Sequence, residues 1–86
     1  MATFDEIKDM LLFIKEDYST PKGLKEKIDG MVSIIDSNKD VQIKIDSLQQ
    51  QLEDISNDVN LPSFVRTQVW SVSGALETIE EYVTNM

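Results

Sequence analysis

The chain has 86 residues, with eight Lys plus Arg against sixteen Asp plus Glu, and its formal net charge is −8. It contains no His and no Cys, which excludes Ser-His-Asp and Cys-His catalysis, thiolate-bound zinc and disulfide bonds. A chain of this length buries too little surface to support more than one hydrophobic core. We therefore expect one helical domain over residues 1–86, with no cofactor and no metal.

The charge is divided unevenly along the chain. Residues 1–44 hold nine acids and seven bases, whereas residues 45–86 hold seven acids and a single base, Arg66. Nucleic acids and anionic membrane surfaces attract clusters of Lys and Arg, so we expect no direct binding to either. The longest apolar run covers only residues 10–14, far short of the roughly 20 residues that span a bilayer. Acids near the start argue against a signal peptide, and we expect a cytoplasmic protein.

The first predicted helix covers residues 3–18. Thr3 followed three residues later by Glu6 is typical of a capping box at a helix start. After this helix, Thr20 is predicted to cap the next one and Pro21 to occupy its first turn, where the missing N–H has no cost. The apolar positions recur every three or four residues, as one helix face requires: Phe4, Ile7, Leu11, Ile14 and Tyr18.

Three further helices are predicted over residues 21–36, 40–57 and 61–84. Their apolar stripes are Leu24, Ile28, Met31 and Ile35; then Val41, Ile45, Leu48, Leu52 and Ile55; then Val65, Val69, Val72, Leu76, Ile79 and Val83. No segment alternates with the period of two that marks a strand. The predicted fold is therefore all-α, a four-helix up-and-down bundle.

A shift of 41 residues superposes the first half of the sequence on the second. The match includes a turn element, Asp-x-x-x-Pro-x-x-aliphatic-basic, at residues 17–25 and again at 58–66. This pattern favours a duplicated helical hairpin, and the alternative is chance convergence of two amphipathic hairpins. The period also lies near that of HEAT and armadillo units, but two units are too few for a solenoid, so we expect the hairpins to close on each other.

Trp70 lies off the apolar stripe of the fourth helix. At 100° per residue it falls about 140° from that stripe, on the side of Arg66, Gly74 and Glu77. A glycine inside a helix costs about 1 kcal/mol relative to Ala, and Trp and Arg are favoured anchors of protein interfaces. These four residues are a candidate surface for a partner or a dimer; the alternative is that Trp70 packs on a neighbouring helix inside the bundle.

The first helix also carries apolar residues beyond its stripe. Leu12 and Phe13 point to the opposite side, and a contiguous exposed apolar patch is typical of an interface. We expect self-association through this side, or else a helix buried between two neighbours.

Pairs of carboxylates provide the alternative, catalytic hypothesis. Glu6 with Asp9, and Glu77 with Glu80, have the spacing by which all-helical pyrophosphatases present magnesium to a nucleotide. Neither pair has basic and aromatic neighbours suited to hold a phosphate or a base, which favours a solvated surface. A magnesium-dependent nucleotide hydrolase is the alternative function.

The stretch ISNDVNLPSFVRTQVWSVSGALETIE, residues 55–80, carries four short motifs: Ser-Asn-Asp at 56–58, Asn-x-Pro at 60–62, Arg-Thr-x-x-Trp at 66–70, and Leu-Glu at 76–77. It resembles an uncharacterised family of short acidic archaeal proteins. Val59 stands where that family commonly has proline, and the N-terminal half follows the family only at Pro21 and in its apolar pattern. The resemblance implies a bromodomain-like four-helix arrangement and brings no assigned activity.

Taken together, the sequence predicts a non-catalytic protein-interaction or structural module. The missing His and Cys argue against most enzyme chemistry. The acidity of residues 45–86 favours a protein partner with a basic surface, and a homodimer is the other predicted association.

Overall fold

A computed structural model describes residues 3–84, which form four helices and no strand within that range. The helices are α1 (Phe4–Glu16), α2 (Lys22–Asp36), α3 (Val41–Ser56) and α4 (Ser63–Thr84). The predicted all-α fold is confirmed, and the likeness to bromodomains stays a prediction. Residues 1–2 and 85–86, which the predicted domain includes, lie outside the described residues.

Each helix packs against two others. α1 packs along α2 and α4, and α3 packs along α2 and α4, whereas the backbones of the diagonal pairs lie farther apart. Short connections make consecutive helices antiparallel, so the four form a closed up-and-down bundle of 38 × 21 × 20 Å. One end carries the α1–α2 and α3–α4 turns; the other carries the α2–α3 turn.

The core is made by the four predicted stripes. Its buried side chains are Ile7, Leu11, Ile14, Leu24, Ile28, Met31, Ile35, Ile45, Leu48, Leu52, Ile55, Leu61, Val65, Val69, Val72, Leu76 and Ile79. Two residues that were predicted to belong to these stripes are not buried. Tyr18 is 97% exposed because α1 ends at Glu16, and Val41 is exposed because it is the first residue of α3.

The turns that follow α1 and α3 are built alike. The Asp17 carboxylate accepts the backbone N–H of Ser19 at 2.8 Å, and the Asp58 carboxylate accepts that of Asn60 at 2.9 Å. The next helices, α2 and α4, begin 41 residues apart, each one residue after a proline. The repeat therefore includes turn geometry, which supports duplication over convergence.

The capping box of α1 is confirmed, but the predicted cap of α2 is wrong. Thr3 Oγ1 accepts the Glu6 N–H at 3.2 Å, and the Glu6 carboxylate accepts the Thr3 N–H at 3.3 Å. The Thr20 hydroxyl instead donates to the Ile14 carbonyl at 2.6 Å in a buried position. The Ile14 carbonyl also accepts the backbone N–H of Asp17 at 3.2 Å. Thr20 therefore supplies a second donor at the end of α1 rather than a cap for α2, and Pro21 occupies the N-cap position of α2.

Candidate functional site: the α3–α4 groove

Trp70 lies on the solvent side of α4, with 80% of its surface exposed. This excludes the alternative in which its ring packs inside the bundle. Arg66, Gly74 and Glu77 are exposed as well and lie within two turns of Trp70 on the same side of the helix. We call these four residues the Trp70 surface.

Beside the Trp70 surface runs a groove between α3 and α4. Its first section, a hollow of about 300 Å³, is lined by Ser56, Leu61, Arg66, Thr67, Val69 and Trp70. Its second section, of about 380 Å³, is lined by Gln49, Leu52, Glu53, Ser56, Ser73, Leu76 and Glu77. The two sections share Ser56 and follow each other along α4, so we treat them as one feature, the α3–α4 groove.

The two ends of the α3–α4 groove differ in chemistry. At the end nearer the α3–α4 turn, buried Leu61 and Val69 lie next to the exposed Trp70 ring. At the other end, Glu53 of α3 and Glu77 of α4 are both exposed and line the groove. One end therefore offers apolar contact, and the other offers two carboxylates.

Two hydrogen bonds hold polar side chains near the two ends of the groove. Arg66 Nη2 donates to the Asp58 carbonyl at 3.4 Å, which keeps the guanidinium beside the α3–α4 turn. Farther along, the side-chain amide of Gln49 donates to the carboxylate of Glu80, joining α3 to α4. The positive group and the carboxylates thus lie at opposite ends.

Gly74 has no packing role within the chain. A Cβ atom built on it would meet nothing within 4 Å. Within residues 3–84, no ring or neighbouring helix therefore lies against Gly74. Its small size leaves open space one turn from Trp70.

The carboxylates of the groove are not neutralised by ion pairs within residues 3–84. The ion pairs in this range are Lys8–Asp36 at 3.0 Å and Lys15–Asp29 at 2.5 Å, and both join α1 to α2. Two acids of the first hairpin are thus paired with bases, whereas no acid of the second hairpin forms an ion pair within residues 3–84.

Leu12 and Phe13 form a separate surface on the α1 side. Leu12 is half-buried, and Phe13 is 58% exposed with its ring centroid 6.0 Å from that of Phe64. Phe64 lies six residues before Trp70, which places it about 120° away around α4. The structure therefore does not bring Phe13 and Trp70 into one patch.

The four carboxylates of the alternative hydrolase lie on two different helices, α1 and α4. Within residues 3–84, no group of three or more acidic side chains lies close enough to hold a metal ion. Glu77 lines the α3–α4 groove, whereas Glu6 and Asp9 lie on α1.

Sequence reasoning missed Glu53, Ser56 and Leu61 as parts of the groove, and Phe64 as the neighbour of Phe13. The periodicity marks Glu53 as off the core stripe of α3. The periodicity does not show which side of α3 faces α4, and the residues on that side are the ones that line the groove. No helix in the described part of the chain combines the length and apolar composition needed to cross a membrane.

These observations define the class: a small acidic up-and-down four-helix bundle with a groove beside an exposed tryptophan. The sequence profile of an uncharacterised protein family, UPF0147, matches residues 1–79. The chain belongs to this family, which confirms the resemblance to an uncharacterised archaeal family.

Individual proteins of this family and one crystal structure are also similar to the chain. A UPF0147 protein of Methanothermobacter thermautotrophicus is 31% identical over 80 residues, which cover 92% of this chain and 78% of that protein. A UPF0147 protein of Methanosarcina mazei is 36% identical over 67 residues, covering 77% and 72%. The crystal structure of the unknown function protein MMP1188 is similar with a TM-score of 0.80, at 30% identity, and the match covers 87% of this chain and 86% of that one. The family has no assigned function and supplies no catalytic residues.

Proposed function

We propose that this protein is a non-catalytic module that binds another protein through the Trp70 surface. The exposure of Trp70 carries the proposal. A large indole ring left 80% exposed in the middle of a well-packed helix contributes little to the fold. Covering such a ring is among the most favourable contacts that a protein interface makes.

Charge indicates the nature of the partner. Residues 45–86 contain seven acids and one base, and the ion pairs of residues 3–84 all lie between α1 and α2. A second copy of the chain would bring like charges together at this surface, which disfavours association. We therefore propose a partner with a basic surface.

The test compares Trp70→Ala with the native chain in affinity capture from a lysate of the source cell. Tyr82→Ala is the matched control, since Tyr82 is a half-exposed aromatic residue on another side of α4. We expect both variants to keep native helicity and thermal stability. A basic protein should be captured by the native chain and by Tyr82→Ala but not by Trp70→Ala. Once purified, this partner should bind the native chain and Tyr82→Ala more tightly than it binds Trp70→Ala.

Two results would overturn the proposal. One is a purified partner that binds Trp70→Ala as tightly as it binds the native chain. The other is turnover of a nucleotide panel in the presence of Mg²⁺ that depends on Glu77 and Glu80, which would favour the hydrolase instead.

Self-association through Leu12 and Phe13 stays a separate proposal. Phe13 keeps more than half of its surface exposed despite its contact with Phe64. Light scattering over a wide concentration range should show a dimer that Phe13→Ala dissociates. A native chain that stays monomeric throughout would contradict it.

A further inference from the structure

We infer that the α3–α4 groove binds a basic amphipathic helix of the partner protein, in one orientation. This inference rests on the proposed function and specifies the site and its ligand. The apolar side chains of that helix would cover Trp70, and its Lys or Arg side chains would lie between Glu53 and Glu77.

The shape of the groove supports a helical ligand. The groove follows α4 from Arg66 to Glu77, a rise of about 16 Å or roughly three helical turns. A furrow between two packed helices accepts a third helix, whose apolar face is read at positions one turn apart. The buried leucine and valine side chains that line the furrow, Leu52, Leu61, Val69 and Leu76, provide an apolar floor for that face.

The orientation follows from the uneven chemistry of the two ends. Trp70 with Leu61 and Val69 offers apolar area and only one charged group, Arg66, whose guanidinium is held beside the turn by the Asp58 carbonyl. Glu53 and Glu77 line the opposite section, and no base within residues 3–84 forms an ion pair with either. A ligand with bases at one end and apolar residues at the other satisfies both ends in only one direction.

The chain offers a direct readout, because Trp70 is its single tryptophan. A suitable probe is a synthetic helical peptide of about 14 residues that lacks Trp, with Leu on one face and Lys confined to its C-terminal half. Covering Trp70 should shift its fluorescence to the blue. Two control peptides carry Glu in place of Lys, or Ser in place of Leu.

The decisive variant is the double substitution Glu53→Gln and Glu77→Gln. We expect this double variant to bind the Lys/Leu peptide with about fivefold lower affinity at low salt, in line with the loss of two exposed charge pairs. We also expect its binding to depend less on the salt concentration. The matched control is Glu16→Gln with Glu26→Gln, which changes the net charge equally at exposed sites on α1 and α2. This control should leave binding nearly unchanged.

The outcomes separate this inference from the proposed function. If the Glu-bearing peptide binds as well as the Lys peptide, or both double variants weaken binding equally, the groove does not select a basic helix and the inference is wrong. If the captured partner depends on Trp70 but binds the Glu53/Glu77 double variant as tightly as the native chain, the inference fails and the proposed function stands. If the partner is indifferent to Trp70, the proposed function fails.

Discussion

Asp17 and Asp58 occupy the same place in two turns 41 residues apart, and each carboxylate accepts the backbone N–H of the second residue after it. Such a bond stabilises a turn by giving the backbone donor a local partner. Asp17 also accepts the Ser19 hydroxyl at 2.5 Å. The equivalent residue of the second turn, Asn60, has no hydroxyl, so the two turns share a backbone and differ in their side-chain bonds.

The turn at Asp17 makes stability depend on pH. The Ser19 hydroxyl lowers the pKa of Asp17, the Ser19 backbone N–H lowers it further, and Lys25 contributes less; slight burial acts in the opposite direction. Because the folded pKa lies below the ordinary value of about 3.9, this carboxylate stabilises the fold fully above that value. The contribution disappears as the pH falls through the folded pKa.

We therefore expect Asp17→Asn to lower the free energy of unfolding at about pH 7, and the difference from the native chain to disappear as the pH falls through the folded pKa of Asp17. Urea denaturation across this range measures it. Asp54→Asn is the control, since Asp54 is an exposed carboxylate on α3 with no hydrogen bond among residues 3–84. A constant difference at every pH for Asp17→Asn would contradict the prediction.

Thr20→Val should destabilise the fold by about 0.5–1.5 kcal/mol, the net contribution of one hydrogen bond. The substitution keeps the side-chain shape and removes the 2.6 Å hydrogen bond from a side chain that is only 4% exposed. The Ile14 carbonyl then keeps only the backbone N–H of Asp17 as its donor. Thr78→Val is the matched control: its hydroxyl donates to the Gly74 carbonyl at 3.2 Å on an exposed face, where water can replace it. Thermal or urea unfolding compares them, and equal effects would show that the buried bond is unimportant.

Gly74→Ala should raise the free energy of unfolding by about 0.5–1 kcal/mol, because alanine favours the helix and its methyl group meets nothing in this chain. Gly30→Ala in α2 should give a similar gain, since its methyl would make only an ordinary contact, 3.9 Å from Gln51. Binding separates the two. The partner should bind Gly74→Ala more weakly and Gly30→Ala unchanged, and a fall in stability for Gly74→Ala would contradict the structural argument.

The apolar spacing was sufficient to predict the four helices and nearly all of their buried faces, because burial of a stripe is what each amphipathic helix requires. Helix ends were harder to predict. Thr20 has the side chain of a helix cap, yet the carbonyl of Ile14 is its partner, and sequence spacing carries no information on such a tertiary contact. Tyr18 was predicted to lie on the buried face of α1, but this helix ends two residues earlier, at Glu16.

The candidate surface was predictable only in part. Periodicity placed Trp70 off the stripe but could not show whether a neighbouring helix or solvent faces it. Glu53 and Glu77 are 24 residues apart, and they line one groove because α3 and α4 run antiparallel in a particular register. That register depends on how the core side chains of two helices interlock, which a one-dimensional pattern does not specify.

The two hairpins share a backbone plan, but residues 45–86 hold seven acids and one base whereas residues 1–44 hold nine acids and seven bases, so the molecule carries most of its net negative charge on the side of α3 and α4. In the field of a positively charged body it turns α3 and α4 forward before any contact forms. The Debye length is about 10 Å at 0.1 M salt, half of the 20 Å width of the bundle. At that salt concentration a positively charged body interacts mainly with the charges on the side of the bundle that faces it. Lowering the salt concentration increases the distance over which this attraction orients the molecule. The two hairpins are alike in backbone and differ in charge, and this difference gives the bundle a front and a back.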